Sequence, residues 1–217
     1  SDLPWFRSVA PYIHMHRGKT FVVAVAGEAI AAGKLPSLAQ DLALIQSMGV
    51  KIVLVHGFRP QVNEQLKAKG HAPKYSHGIR ITDSVALDCA QEAAGQLRYE
   101  IEAAFSQGLP NTPMAGATIR VISGNFITAR PVGIVDGVDF QHSGLVRKVD
   151  VPGISKSLNL GAMVLLSPFG FSPTGEAFNL TMEEVATSVS IALQADKLIS
   201  VTEVPGIRVK PFEPAGD

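Results

Sequence analysis

The sequence contains little cysteine and no excess of either charge. Cys89 is the single cysteine among 217 residues, so the chain cannot form an internal disulfide, and this favours a reducing, cytoplasmic setting. The 19 basic residues are balanced by 19 acidic ones, which argues against nucleic acid or an anionic membrane as a partner. The longest apolar runs, such as residues 21–26, are strand-sized and far short of a membrane span. No basic segment followed by an apolar one opens the chain, so we expect no signal peptide.

Apolar runs alternate with amphipathic segments along most of the chain. Apolar, β-branched runs predict strands at residues 19–26, 50–55, 162–167 and 197–203. Apolar residues at spacings of three and four predict helices at residues 36–48, 84–106, 151–159 and 182–194. Strands that alternate with helices indicate an α/β fold, here a three-layer sandwich with a mainly parallel central sheet.

Two further segments with β-strand patterns interrupt this alternation of strands and helices. A small hairpin is predicted around His77-Gly78. Alternating runs separated by glycine-containing turns follow at residues 117–122, 126–131 and 138–149. We expect these three runs to form a β-rich excursion between the helical segments on either side.

Two of the predicted strands end at a glycine and are followed by a helical stretch, at Gly27 and at Gly57. Such turns suit phosphate because free backbone amides point outward at a helix N-terminus and glycine lets an anion approach closely. At the second turn, Phe58 adds bulk and Pro60 removes a backbone donor, so we expect no nucleotide cradle there. Arg59 in the same turn could hold a carboxylate or pair with a neighbouring acid.

The histidines do not predict a metal site. His14 and His16 are two residues apart on a predicted helix and therefore diverge. His71 and His77 lie in the hairpin region without a carboxylate or thiol partner at metal spacing. His142 precedes a serine, but no nucleophile elbow surrounds the pair.

Several longer stretches are distinctive enough to indicate a family. They include Val9-Ala10-Pro11-Tyr12-Ile13, Gly78-Ile79-Arg80-Ile81-Thr82-Asp83, Ser123-Gly124-Asn125-Phe126 and Phe178-Asn179-Leu180-Thr181. Together with the two glycine turns, and in this order, they resemble the amino acid kinase family. Within it they resemble the N-terminal, kinase-like domain of bacterial N-acetylglutamate synthases, over essentially residues 5–204.

The resemblance implies the kinase fold without kinase chemistry. Where the kinases place a lysine at the end of the first strand, this chain has Ala24, and where they run three small glycines, it has Gly57-Phe58-Arg59. In N-acetylglutamate synthases the kinase-like domain is catalytically silent and senses L-arginine. A separate C-terminal domain, absent here, transfers acetyl from acetyl-CoA to L-glutamate in the first step of arginine biosynthesis. The resemblance therefore implies no catalytic residue and no cofactor in this segment, with acetyl-CoA as co-substrate of the missing domain.

The resemblance also implies two sets of binding residues. An allosteric arginine site is expected between the N-terminal helix and the last strand, with Tyr12 stacking on the effector and Lys197 meeting its carboxylate. A vestigial kinase substrate pocket is expected as well. In it Arg80 corresponds to an arginine that grips a carboxylate, and Glu183 stands in place of an aspartate. The expected pocket residues are Gly27, Gly57, Arg59, Arg80, Asn179 and Glu183.

The resemblance gives an expected domain organisation. Residues 1–16 form an N-terminal helical arm, and residues 17–217 form the kinase-like domain, incomplete at its C-terminal end. We expect a homo-oligomer held through the arm, because the equivalent helix interlaces between subunits in arginine-sensitive relatives. Two alternatives stay open at this point, an active N-acetylglutamate kinase and a scaffold that only oligomerises the acetyltransferase.

Overall fold

A computed structural model of the chain describes residues 18–107 and 118–202 and the backbone of residues 208–211. The strands in chain order are β1 (Thr20–Val25), β2 (Lys51–His56), β3 (Tyr75–Ser76), β4 (Ile79–Arg80), β5 (Val121–Ile122), β6 (Ile127–Pro131), β7 (Ile134–Val135), β8 (Val138–Asp139), β9 (Gly144–Val149), β10 (Met163–Leu166), β11 (Phe169–Phe171), β12 (Ala177–Asn179), β13 (Lys197–Val201) and β14 (Arg208–Pro211). The helices are α1 (Gly27–Ala31), α2 (Leu35–Ser47), α3 (Arg59–Ala68), α4 (Ser84–Ser106), α5 (Val151–Asn159) and α6 (Met182–Leu193). The predicted arm at residues 1–16 lies outside the described residues.

The main sheet is mainly parallel, as predicted. Its strand order is β14–β13–β1–β2–β10–β5. Every neighbouring pair is parallel except β13 and β14, which run antiparallel. The run that contains β5 was expected in the β-rich excursion, but β5 pairs with β10 and extends the main sheet. A two-residue strand carries too little pattern to identify its partner, so this assignment needed the tertiary structure.

Both faces of the main sheet are buried, which explains why its strands are apolar at consecutive positions. Along β1, Phe21, Val23 and Val25 belong to the core on one face of the sheet, with residues of α1, α2, α3 and α4. Val22 and Ala24 belong to the core on the opposite face, with residues of α5 and α6. The expected three-layer sandwich is therefore confirmed.

Two strands of the β-rich excursion, β6 and β9, form a second sheet with the later strands β11 and β12, in the order β12–β11–β6–β9. The run predicted at 138–149 is divided, because residues 140–143 turn the chain between β8 and β9. Helix α6 is tied to this sheet, since the Glu184 carboxylate accepts a hydrogen bond from the Val146 amide at 2.9 Å. The predicted hairpin is confirmed as β3–β4, and its two turn residues, His77 and Gly78, both have positive φ.

None of the helices in the described ranges is both long enough and apolar enough to cross a membrane.

Candidate functional site

A cavity of about 370 Å³ opens where β1 and β2 end. Ligands of open parallel sheets bind at this carboxyl edge of the strands. The cavity is lined by the turns that follow β1 and β2, by hairpin β3–β4 and by the start of α6. The six residues expected in the substrate pocket all line it, namely Gly27, Gly57, Arg59, Arg80, Asn179 and Glu183.

The two glycine turns pack directly against each other. A Cβ added to Gly57 would lie 3.0 Å from the Gly27 amide nitrogen, and a Cβ added to Gly27 would lie 2.6 Å from Gln61 Oε1 and 3.0 Å from Phe58 Cα. Gln61 stabilises this contact, since its Nε2 donates a hydrogen bond to the Gly27 carbonyl oxygen at 2.8 Å. The space that a side chain at either glycine would need is thus filled by the protein itself.

Phe58 does not crowd this turn in the way that the sequence suggested. Its side chain is only 5% exposed and belongs to the core beneath the turn. There its ring packs edge-on against the imidazole of His56, with the ring centroids 6.1 Å apart. The crowding that we expected from Phe58 comes instead from Gln61 and from Met182, whose sulfur would lie 3.2 Å from a Cβ on Gly57.

His56 is a fully buried residue that connects the second glycine turn to β10. Its Nδ1 lies 2.9 Å from the Gly57 carbonyl oxygen, and its Nε2 lies 2.7 Å from Ser167 Oγ. Because a carbonyl only accepts, Nδ1 carries the proton and the Ser167 hydroxyl donates to Nε2. Burial lowers the pKa of His56 to about 4, so the ring is neutral near pH 7. No role was predicted for His56 from the sequence, although its position at the end of a buried strand and beside a glycine indicates a residue near the site.

Two guanidinium groups converge on Tyr75 at the cavity wall. Arg80 lies over the ring at 4.9 Å from its centroid and Arg59 at 5.7 Å, and Arg80 Nη2 lies 3.4 Å from the Arg59 carbonyl oxygen. Arg80 is 7% exposed, and its burial lowers the pKa of the guanidinium from the usual value. Within the described ranges no ion pair joins either arginine to an acid, so the neighbouring acid considered for Arg59 is not seen there. Tyr75 was not predicted as a site residue from the sequence.

A chain of buried hydrogen bonds links Asn179 to the backbone of Arg80. Asn179 Nδ2 donates to Thr82 Oγ1 at 3.2 Å. Thr82 Oγ1 lies 2.7 Å from Ser143 Oγ, which in turn donates to the Arg80 carbonyl. This series of hydrogen bonds brings together segments up to 97 residues apart in sequence. It fixes the positions of Asn179 and Arg80 relative to each other.

The comparisons with known proteins agree with this geometry. A profile of the amino acid kinase family matches residues 19–213. The chain belongs to the amino acid kinase family. Of the solved structures, isopentenyl phosphate kinase in a substrate complex is 14% identical, with a TM-score of 0.54 over 85% of this chain and 71% of that one. At that identity the likeness shows the fold alone.

More similar proteins confirm the resemblance to N-acetylglutamate synthases. This kinase-family chain is 63% identical over 203 residues to the amino-acid acetyltransferase of Ralstonia nicotianae, covering 94% of the chain and 45% of that protein. It is 52% identical over 202 residues to that of Vibrio cholerae, covering 93% and 45%. The N-acetylglutamate synthase of Neisseria gonorrhoeae, complexed with coenzyme A and L-arginine, has a TM-score of 0.85 at 38% identity, covering 96% of this chain and 49% of that one. The chain spans about half the length of the curated relatives it matches.

The cavity is lined by charges of both signs, since Arg59 and Arg80 line it together with two carboxylates. Two carboxylates, Glu28 and Glu183, line it, and the lining residues within the described ranges include no lysine. Ala24, at the position where the kinases carry a lysine, is 3% exposed and is buried in the apolar core rather than at the cavity.

Lys197 lies away from the other predicted site residues. It begins β13 and pairs in register with Phe21 of β1, whereas the cavity lies past the opposite end of both strands, at Thr202. Lys197 and Thr202 are five positions apart along an extended strand, which is about 16 Å. Tyr12, its predicted partner in an arginine site, lies outside the described residues.

The histidines of the hairpin region do have acid partners, contrary to the expectation from spacing. His71 Nε2 lies 2.7 Å from Asp83 Oδ2, and His77 Nε2 lies 3.5 Å from Asp136 Oδ2. Each is a pair rather than a cluster. In the part of the chain that the structure describes, no group of three or more histidine, cysteine, aspartate or glutamate side chains is placed to hold a metal.

Proposed function

We propose that the chain is the L-arginine-sensing, kinase-silent domain of an N-acetylglutamate synthase. The longer protein would transfer acetyl from acetyl-CoA to L-glutamate, with acetyl-CoA bound outside this segment. The support is the 49–63% identity to proteins named amino-acid acetyltransferase and the likeness to a synthase solved with coenzyme A and L-arginine. We propose the same division as before, with an arm at residues 1–16 and a kinase-like domain at residues 17–217.

The observation that supports the proposed lack of kinase activity is the close packing at the two glycine turns. Phosphoryl transfer depends on positioning the nucleotide and on cations that neutralise the transferred group. Here Gln61 and Met182 occupy the space beside the glycines. The described residues that line this edge include no lysine, and the charges of Arg59 and Arg80 are offset there by the carboxylates of Glu28 and Glu183. An active N-acetylglutamate kinase is therefore the weaker alternative.

We place the arginine site between the N-terminal arm and β13, with Tyr12 and Lys197. Free arginine offers a carboxylate that a lysine can bind and a planar guanidinium that can stack on an aromatic ring. Lys197 lies at the edge of the sheet opposite the cavity, so arginine would act at a distance from the former substrate pocket.

Isothermal titration calorimetry of the full-length protein tests this function. We expect heat of binding with L-arginine and none with magnesium ATP. Lys197→Ala should weaken arginine binding about tenfold or more, since a hydrogen bond to a charged group contributes roughly 1.5–3 kcal/mol. Tyr12→Cys should weaken it as well, through the lost stacking contact.

The matched control is Lys51→Ala, because Lys51 begins β2 at the same edge of the sheet, two strands from Lys197. Its loss should leave arginine affinity unchanged. Normal arginine affinity in both Lys197→Ala and Tyr12→Cys would place the site elsewhere. Heat with ATP together with phosphorylated N-acetylglutamate would establish a kinase. Heat with neither ligand would leave the oligomerisation scaffold as the function.

We also propose that the N-terminal arm holds a homo-oligomer together. The predicted arm carries the apolar residues Trp5, Phe6, Val9 and Ile13. Apolar patches on a protein surface usually mark interaction sites, and this supports an interface through the arm. Deleting residues 3–16 should lower the mass of the particle measured by light scattering. An unchanged mass, with the circular dichroism of the intact protein, would contradict an arm-mediated assembly.

A further inference from the structure

Two large apolar side chains are exposed at the edge of the main sheet where β2 and β10 begin, opposite the cavity. Met48 is 39% exposed and Leu160 is 81% exposed. We propose that these two residues, here called the edge patch, are the docking surface for residues 13–17 of the same chain, the end of the predicted N-terminal arm. Docking here is independent of arginine sensing, because it follows from where the chain joins the sheet.

Met48 and Leu160 occupy the same position in two helix–strand connections. Met48 is the C-cap of α2, which precedes β2, and Leu160 is the C-cap of α5, which precedes β10. Each is followed by a glycine with positive φ, Gly49 at 92° and Gly161 at 88°. A turn of this kind requires the glycine, but it does not require a large apolar residue before it. The turns therefore do not explain why two apolar side chains are exposed here.

Hydrogen bonds join the two connections into one surface. Gln46 Nε2, in the last turn of α2, donates to the Gly161 carbonyl oxygen at 2.8 Å. Lys51 Nζ, at the start of β2, donates to Asn159 Oδ1 at 2.8 Å. Single apolar residues on a protein surface are common, whereas two on joined turns form a surface that a third segment can cover.

The N-terminal segment joins the main sheet beside this patch. The Gly18 amide donates to the Gly49 carbonyl oxygen at 2.8 Å, so Gly18 is adjacent to the turn that follows Met48. Leu160 precedes β10, which lies two strands from β1, a distance of about 10 Å. An extended chain covers about 3.3–3.6 Å per residue, so residues 13–17 are long enough to reach the whole patch.

The composition of residues 13–17 suits an apolar surface. Ile13 and Met15 are two positions apart. They face the same side of an extended segment and nearly opposite sides of a helix, so at least one can face the patch in either conformation. Burying Leu160 against such a side chain removes apolar surface from water, which favours docking.

The tether decides which copy of the arm occupies the patch. Residue 17 is bonded directly to Gly18, which lies beside the patch. A short tether gives a segment an effective concentration in roughly the millimolar range, so the chain's own arm binds ahead of the arm of a second copy. The earlier apolar residues of the arm then remain for the contact between subunits, namely Trp5, Phe6 and Val9.

Disulfide trapping in the full-length protein tests the contact. The test variants combine Leu160→Cys with either Ile13→Cys or Met15→Cys. In the matched controls Ile134→Cys replaces Leu160→Cys, because Ile134 is 72% exposed on hairpin β7–β8, whose Asp136 contacts hairpin β3–β4 at the cavity. Under mild oxidation we expect at least one Leu160 pair to form a disulfide within one chain about tenfold or more faster than its control. Peptide mass spectrometry identifies the bonded pair.

Tryptic cleavage after Arg17 tests whether the patch holds the arm in place. A docked segment is cleaved only when it opens. Leu160→Ser should raise the cleavage rate about tenfold or more, which is the factor that the burial of one leucine side chain contributes. Met48→Ser should act in the same direction but less, because Met48 has less exposed surface to bury. Ile134→Ser removes a similarly exposed apolar side chain elsewhere and should leave the rate unchanged.

A disulfide between two chains, in place of one within a chain, would overturn the proposal by showing that the patch receives the arm of a second copy. Leu160 pairs that form no faster than the Ile134 pairs would also overturn it, as would a wild-type cleavage rate in Leu160→Ser. The proposed function is tested separately. Arginine binding and the mass of the particle can both be as expected while the trapping fails, because neither measurement requires residues 13–17 to lie on the edge patch.

Discussion

Replacing Gly144 with alanine is expected to lower the free energy of unfolding by about 2–3 kcal/mol. Gly144 begins β9, where a Cβ would lie 2.7 Å from Phe178 Cβ and 2.8 Å from the Arg130 carbonyl oxygen. Both atoms are held by the backbone of the second sheet, so neither can move aside by a change of rotamer. Urea unfolding followed by circular dichroism measures the loss.

Gly95→Ala is the matched control for this substitution. Gly95 lies inside α4, and a Cβ there would meet nothing within 4 Å. Alanine is the better helix former by roughly 0.5–1 kcal/mol, so this variant should be slightly more stable than the wild type. A Gly144→Ala protein as stable as Gly95→Ala would show that the strands of the second sheet are not as closely packed as described.

The sequence predicts the main elements of the fold because burial on both faces has a clear signature. β1 and β2 are apolar at consecutive positions, which only strands covered on both sides require. Helix α4 is recognisable from its spacing of apolar residues and matches its predicted bounds, 84–106. The partner of β5 was not predictable, because strand pairing depends on residues far apart in sequence.

The residues of the cavity could likewise be predicted only in part from the sequence. Its six expected residues came from the resemblance to the amino acid kinase family, and the structure brings all six to one cavity. Thr82, Ser143 and Tyr75 received no role because their importance depends on contacts across the fold. Thr82 and Ser143 are 61 residues apart, and nothing in either local sequence indicates that their hydroxyls meet. Side-chain orientation inside a site is thus the part that sequence patterns leave open.

Lowering the pH from neutral to about pH 4 is expected to cost the chain about 3 kcal/mol of stability through His56 alone. Burial lowers the pKa of His56 from 6.5 to about 4, and the hydrogen bond to the Gly57 carbonyl offsets only part of this effect. Between these two pH values the unfolded chain binds a proton that the folded chain does not. The stabilisation is therefore complete above about pH 6.5 and falls as the pH drops toward 4.

Urea unfolding at a series of pH values, with His56→Gln as the test variant, isolates this contribution. The variant loses the hydrogen bonds of the ring, so it should be less stable than the wild type at neutral pH, but its stability should change little down to about pH 4. His77→Gln is the control, because His77 is exposed and its pair with Asp136 is 3.5 Å long. The pKa of Asp83 is lowered as well: desolvation alone would raise it, but the hydrogen bonds from the Ala86 amide and from His71 and the nearby positive charges together outweigh that effect. A His56→Gln protein that retains the wild-type pH dependence would show that other groups carry the acid sensitivity, and that the neutral imidazole holding Gly57 against β10 is not its source.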